Sequence, residues 1–198
     1  MIRNVIFDLG GVLITWRPQE IIDAFFSEPE VRAQMRDDVF RHADWVEMDR
    51  GTLDELAVAQ RSASRVGREP AEMTALLEFV KSSLLPIAET VELLGSLRAR
   101  GLKLYALSNI SEPMFRHIEA RYDFFRLFHG IVISGAIRLV KPEPAIYEHL
   151  RDRFALDFAE SVFIDDLPQN VEAARGLGLA AIRFESPAQC VRELEALL

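Results

Sequence analysis

At 198 residues, with 49% hydrophobic and 27% charged side chains, the chain has the composition of one globular core, or of a core with a small inserted domain, and not that of a disordered protein. Its net charge of -8 argues against a polyanion as principal partner, because nucleic-acid binders carry a basic face. A single cysteine, Cys190, excludes an internal disulfide and a multi-cysteine metal site and fits a reducing, cytoplasmic setting.

The apolar run Val5-Ile6-Phe7 ends in Asp8 and then Gly10-Gly11, the pattern of a buried strand that delivers a carboxylate to a turn. Residues 1–14 are apolar enough to suggest a signal peptide, but none is expected, since Asp8 interrupts the run and Arg3 is the only basic residue ahead of it. No stretch reaches the roughly 18 uninterrupted apolar residues of a membrane span. Pro18 opens a helix carrying Ile21, Ile22, Phe25 and Phe26, and Pro29 another with Val31, Met35, Val39 and Phe40. Arg32, Arg36, Arg41 and Arg50 alternate with acids and read as solvated helix surface, and Trp45 to Gly51 reads as a loop between helices. Thr52 with Glu55 matches a capping box for a helix to about Arg65, and Pro70 starts one with Leu76, Leu77, Val80 and Leu84. Nothing from 18 to 85 has strand character.

From Pro86 onward, helix and strand patterns alternate. Strands are expected at 102–107, 131–133, 161–164 and 180–184, with helices before, between and after them. That alternation predicts an α/β fold with a doubly wound parallel sheet, a core of 1–14 and 87–198, and an all-helical cap of 15–86. Sites in such sheets lie at the carboxyl ends of the strands, so Asp8, Ser108-Asn109 and Asp165-Asp166 should emerge at one edge.

Three carboxylates, Asp8, Asp165 and Asp166, repel one another unless a cation sits among them. Oxygen-only ligands beside a phosphate favour Mg²⁺, and Lys141 brings the formal charge of the group to zero. Ser108, the amides around Asn109, and Lys141 would meet phosphoryl oxygens. Each residue alone has a plainer reading: Asp8 as a turn, Ser108-Asn109 as a helix cap, Lys141 as an exposed loop lysine. His42, His117, His129 and His149 lack metal-ligand spacing, Gly176-Leu177-Gly178 ends a helix, Cys190 packs, and Phe124, Phe125 and Phe128 belong to a core that joins Trp16 and Trp45 only if it reaches the cap.

Phe7-Asp8-Leu9-Gly10-Gly11-Val12, Leu107-Ser108-Asn109, Lys141-Pro142 and Ile164-Asp165-Asp166 resemble, in order, the four motifs of the haloacid dehalogenase superfamily, and the helical insert resembles that superfamily's first cap class. The resemblance implies a phosphoric monoester hydrolase in which Asp8 is the nucleophile and forms a phosphoaspartate. It further implies that Ser108 binds phosphate, Lys141 pairs with nucleophile and phosphate, and Asp165 and the Gly10 backbone carbonyl bind Mg²⁺. Asp166 would hold the metal through water or order Lys141, and Asn170 would support the loop. The usual general acid two residues after the nucleophile is replaced by Gly10. Substrates whose leaving oxygen needs little protonation, such as anomeric sugar, acyl or aryl phosphates, are then favoured, as in a similar Asp-Leu-Gly subgroup that includes sugar-1-phosphate phosphatases. Alternatively a cap acid, Glu47 or Asp49, replaces the missing group, and Arg50 contacts substrate; the plainer reading makes all three surface charges. The resemblance therefore implies a cytoplasmic monomer or homodimer acting on a small phosphorylated metabolite, with no nucleic-acid or membrane partner. A 2-haloacid dehalogenase and a non-catalytic binding domain are the alternatives.

Overall fold

The structure, a computed structural model, describes residues 1–198. Five parallel strands, β1 (Asn4–Phe7), β2 (Lys103–Ser108), β3 (Gly130–Ile133), β4 (Ser161–Asp165) and β5 (Ala180–Arg183), form one sheet in the order β3-β2-β1-β4-β5. The central strand β1 is buried along its whole length, which is why it reads as a continuous apolar run. Side chains alternate between the faces. Val5, Phe7, Leu104, Ala106, Val162 and Ile164 enter one apolar cluster, whereas Ile6, Tyr105, Leu107 and Phe163 enter the other.

The smaller cluster is closed by α9 (Pro144–Phe154), through Ile146, Tyr147 and Leu150, and by α10 (Pro168–Gly176), through Ala174. The larger is closed by α6 (Ala88–Ala99), α7 (Glu112–Arg121) and α11 (Pro187–Glu195). It continues without a break into the helices inserted after β1: α1 (Pro18–Phe25), α2 (Pro29–Met35), α3 (Ala43–Arg50), α4 (Glu55–Val66) and α5 (Pro70–Ser83). Between α2 and α3 the chain widens into one π-helical turn over Arg36–Phe40.

The chain leaves and rejoins the sheet through a narrow ribbon. Thr15 N donates to Leu85 O at 2.7 Å, Ile87 N to Leu13 O at 2.8 Å, and the Thr15 hydroxyl bridges Ser83 O and Leu85 N at 3.0 Å each.

Two local expectations need correction. The helix after Gly51 is capped by Asp54, whose Oδ1 accepts from Ala57 N at 2.7 Å, and not by Thr52. Thr52 is still in the turn that ends α3, where its hydroxyl donates to Glu47 O at 3.0 Å and to the Glu47 carboxylate at 2.5 Å. Trp45 to Arg50 is helical rather than a loop, because His42 caps α3 by accepting from Asp44 N and Gly51 closes it at φ 78°. No helix is long and apolar enough to cross a membrane.

Candidate active site

Parallel pairing sets the register of the site. Phe7 lies opposite Ala106 and Ile164, so Asp8 leaves β1 level with the ends of β2 and β4, beside Ser108 and Asp165. The chain order reverses about β1, which opens a crevice at the strand ends where sheets of this kind bind ligands.

Lys141 stands between two carboxylates, with Nζ 2.8 Å from Asp8 Oδ1 and 2.7 Å from Asp165 Oδ2, and with the Phe163 ring 5.4 Å away. All three side chains are buried. A buried ion pair persists only when its remaining hydrogen-bonding capacity is met, and here it is met from several elements. Leu9 N donates to Asp8 Oδ1 at 2.7 Å. Asn170, at the start of α10, donates through Nδ2 to both oxygens of Asp165, at 3.0 and 3.1 Å, and Leu167 N adds a bond to Oδ1 at 2.8 Å. The Tyr147 hydroxyl in turn donates to Asn170 O at 3.0 Å.

Asn109 is turned toward the lysine loop: its Nδ2 donates to Lys141 O at 2.9 Å and its Oδ1 accepts from Lys141 N at 2.8 Å. It therefore fixes the lysine's backbone and leaves Ser108, buried at the end of β2, to line the cavity with its side chain.

The adjacent acids Asp165 and Asp166 have different surroundings. Asp165 is fully buried, and its two oxygens already receive bonds from Lys141, Asn170 and Leu167. Asp166 is half-buried and lines the cavity. Carboxylate oxygens of Asp8, Asp165 and Asp166 lie within 4.8 Å of one another. Burial pushes the Asp8 carboxyl up to about 7, with Asp165 adding to the rise and Lys141 opposing it. Burial and Asp165 likewise raise Asp166. Burial works against the Lys141 ammonium, but Asp165 and Asp8 outweigh it and its pKa rises. Three carboxylates against one ammonium leave a surplus of two negative charges on an all-oxygen donor set, which fits a hard divalent cation. Gly11 is adapted to this crowding: its φ is +75°, and a Cβ there would stand 2.5 Å from Asp166 Oδ2.

Above these groups lies a cavity of about 560 Å³. Gly10, Trp16, Phe40, Trp45, Asp49 and Met114 are among its walls. Of the three charged residues named on α3, only Asp49 reaches it. Glu47 is engaged by Thr52 and by Arg50, 3.4 Å away, at the surface. Arg50 pairs with Glu143 through bonds of 3.1 and 2.8 Å, and that pairing holds the Glu143 carboxyl below its usual range. Burial raises the Asp49 carboxyl well above the ordinary value, the Ser111 backbone amide opposing and Asp8 adding to the rise. Arg36 and Arg41, read as solvated surface, also line the cavity.

Known proteins share this sequence family and fold. The description of haloacid dehalogenase-like hydrolases matches residues 2–178. The chain belongs to that family. This haloacid dehalogenase-like hydrolase is 28% identical to sesquiterpene phosphatase astK of Aspergillus oryzae over 196 residues, which cover 99% of this chain and 96% of the relative. It is 30% identical to drimenol cyclase drtB of Aspergillus calidoustus over 98% of its own length, but spans only 36% of that longer protein. A crystal structure of a haloacid dehalogenase family enzyme from Bacteroides thetaiotaomicron, in complex with magnesium and inorganic phosphate, has the same fold, with a TM-score of 0.76 at 23% identity over 93% of this chain and 95% of that one.

The sequence reading missed the cavity's aromatic wall. Phe40 stacks on Trp45 at 4.6 Å and Trp16 lies 5.7 Å from Trp45. Phe124 and Phe125 instead stack on each other at 4.4 Å, with Phe128 6.4 Å from Phe125. The available signal was Trp16 itself, a large aromatic only eight positions after Asp8.

Proposed function

We propose that the protein is a Mg²⁺-dependent phosphatase of small phosphorylated metabolites, working through a phosphoaspartate at Asp8. The observation that carries this reading is the buried Asp8–Lys141–Asp165 chain at the floor of a cavity that Asp166 and Ser108 also line. Asp8, Asp166 and the Gly10 carbonyl would hold the metal, and Asp165 is better placed to anchor Lys141 than to bind the ion directly. Mg²⁺, when bound, supplies charge neutralisation for the carboxylates and phosphoryl oxygens.

An Asp8 carboxylate oxygen attacks phosphorus as the bond from phosphorus to the ester oxygen breaks. The leaving oxygen takes a proton from Asp49, whose carboxyl burial makes harder to ionise and which would replace the acid absent at Gly10. Water then attacks the phosphoaspartate and returns a proton to Asp49, releasing phosphate and restoring Asp8. Lys141 and Ser108 hold the transferred group. The helices from Pro18 to Ser83 act as a cap that excludes bulk water while the acyl phosphate exists.

Asp8→Asn preserves the shape of the site and removes the nucleophile. Phosphate release across a broad panel of phosphate esters should drop more than a thousandfold with an unchanged circular dichroism spectrum. Comparable release by the folded variant would reject phosphoaspartate chemistry. Chloride release from a 2-haloacid in the presence of a chelator would favour the dehalogenase instead.

A further inference from the structure

The walls of the cavity differ chemically from its floor. Asp8, Ser108, Lys141 and Asp166 form the polar floor, whereas Trp16, Phe40, Trp45, Ile110, Met114 and Ile118 stand around the space above it. The three aromatic rings make one continuous surface, with centroids 4.6, 5.7 and 6.2 Å apart.

A polyhydroxylated substrate needs side-chain donors and acceptors facing its hydroxyls, and most of the polar residues here already have partners. Gln19 donates to Asp23 at 3.0 Å. Arg36 donates twice to Asp37, at 3.0 and 2.9 Å, and Arg41 donates to the same carboxylate at 3.1 Å. Both ends of the Asn109 amide are occupied by the backbone of Lys141, and the amide nitrogen of Asn170 by Asp165. Beyond the floor, Asp49 is the one remaining carboxyl. Hydroxyls placed against such walls would lose water without replacement, whereas hydrocarbon would gain by leaving water. The volume is within the range of about 300–1,000 Å³ typical of small-molecule sites.

We infer that the organic half of the substrate is apolar: the site takes the monophosphate of a hydrocarbon alcohol, its phosphate on the Asp8–Lys141 floor and its hydrocarbon against Trp16, Phe40, Trp45 and Met114. The inference rests on the phosphatase reading for what happens to the ester, but not for what binds. It departs from the sugar phosphates that Gly10 alone suggests.

The test uses ethyl, butyl, hexyl and octyl phosphate beside glycerol 3-phosphate and glucose 6-phosphate, all with Mg²⁺. For the wild-type enzyme, kcat/KM should rise with chain length, by up to about fourfold per methylene buried, and the polyol phosphates should be the poorest substrates. Binding is read separately on Asp8→Asn, because the chain's 2 tryptophans, Trp16 and Trp45, both line the cavity and their emission should shift as octyl phosphate enters. A flat chain-length series, or a preference for glucose 6-phosphate, overturns the apolar assignment and leaves the phosphatase intact. If no ester is hydrolysed while octyl phosphate still titrates the tryptophans more tightly than glucose 6-phosphate, the apolar site stands and the phosphatase reading falls. Failure of both readouts removes both.

Discussion

An acid that protonates a leaving alkoxide has to be neutral when the substrate arrives, and among the charged residues of α3 only the half-buried Asp49 combines a raised pKa with a place on the cavity wall. Because burial raises its pKa, the protonated form persists to higher pH than in an ordinary carboxyl and is lost as pH climbs through the raised value. In the proposed reaction, kcat should therefore fall on the alkaline side. Asp49→Asn should abolish that limb and lower kcat by about 10² to 10⁴ on alkyl monoesters, with a smaller loss on aryl or acyl phosphates, whose leaving groups need less help. A pH–rate profile measured on both substrate types would expose an error, since equal losses on both would make Asp49 structural. Gly10→Asp supplies a complementary measurement. A Cβ at position 10 would sit 3.6 Å from Trp16 Cβ, in ordinary contact, so the side chain has room to start and should restore part of the activity lost in Asp49→Asn. At this scale the sequence shows which residues carry charge at strand ends, because an apolar run ending in Asp8 or in Asp165-Asp166 is visible as a pattern. It does not separate Asp165, spent on Lys141 and Asn170, from Asp166, turned to the cavity, because that depends on side-chain direction at adjacent positions.

Among the elements, α3 determines whether an acid on the insert reaches the sheet, and its C-terminal end is fixed to the core at three places. Ser134, opening the short helical turn α8 (Ser134–Ile137), donates its hydroxyl to Asp49 O at 2.5 Å. Arg50 is bonded to Glu143 ahead of α9, and Gly51 packs so closely on Gly135 that a Cβ would collide with the Gly135 carbonyl. Gly51→Ala faces that collision and also a left-handed backbone at φ 78°, which alone costs about 1–2 kcal/mol for a residue with a side chain. We expect the variant to lose at least that much stability in chemical denaturation and to show weaker catalysis as Asp49 loses its place. Wild-type stability with full activity would mean that this contact does not position α3. The strands and most helices were legible because their periods and prolines are local. Docking of α3 was not, since its partners are 84 to 93 residues away and no local pattern encodes them. The Thr52-Glu55 match misled for a related reason: a capping sequence competes with the Gly51 turn, and Asp54 takes the position instead.

Across the whole molecule, the unbalanced carboxylates at the strand ends make the folded state sensitive to divalent cations. Under the proposed assignment, Mg²⁺ binds the native cluster and not the unfolded chain, so it should raise the melting temperature, by an amount corresponding to about 2.7 kcal/mol at a hundredfold excess over Kd. Asp166→Asn should remove most of this shift. A melting temperature indifferent to Mg²⁺ and to chelator would argue against a metal at Asp8 and Asp166. The ribbon at Thr15 and Leu85 acts on the same scale, through folding. Strand β1 cannot pair with β2 until a loop from Phe7 to Lys103 has closed, and every long loop resists closure entropically. Zipping Leu13 to Ile87 and Thr15 to Leu85 brings both ends of the insert together first, leaving only the span of α6 to be closed. The neck joins the insert to the sheet through two adjacent ends, but α3 also docks on Ser134, Glu143 and Gly135, so under the proposed reaction a helical unit spliced at this neck would have to bring its own acid to the cavity.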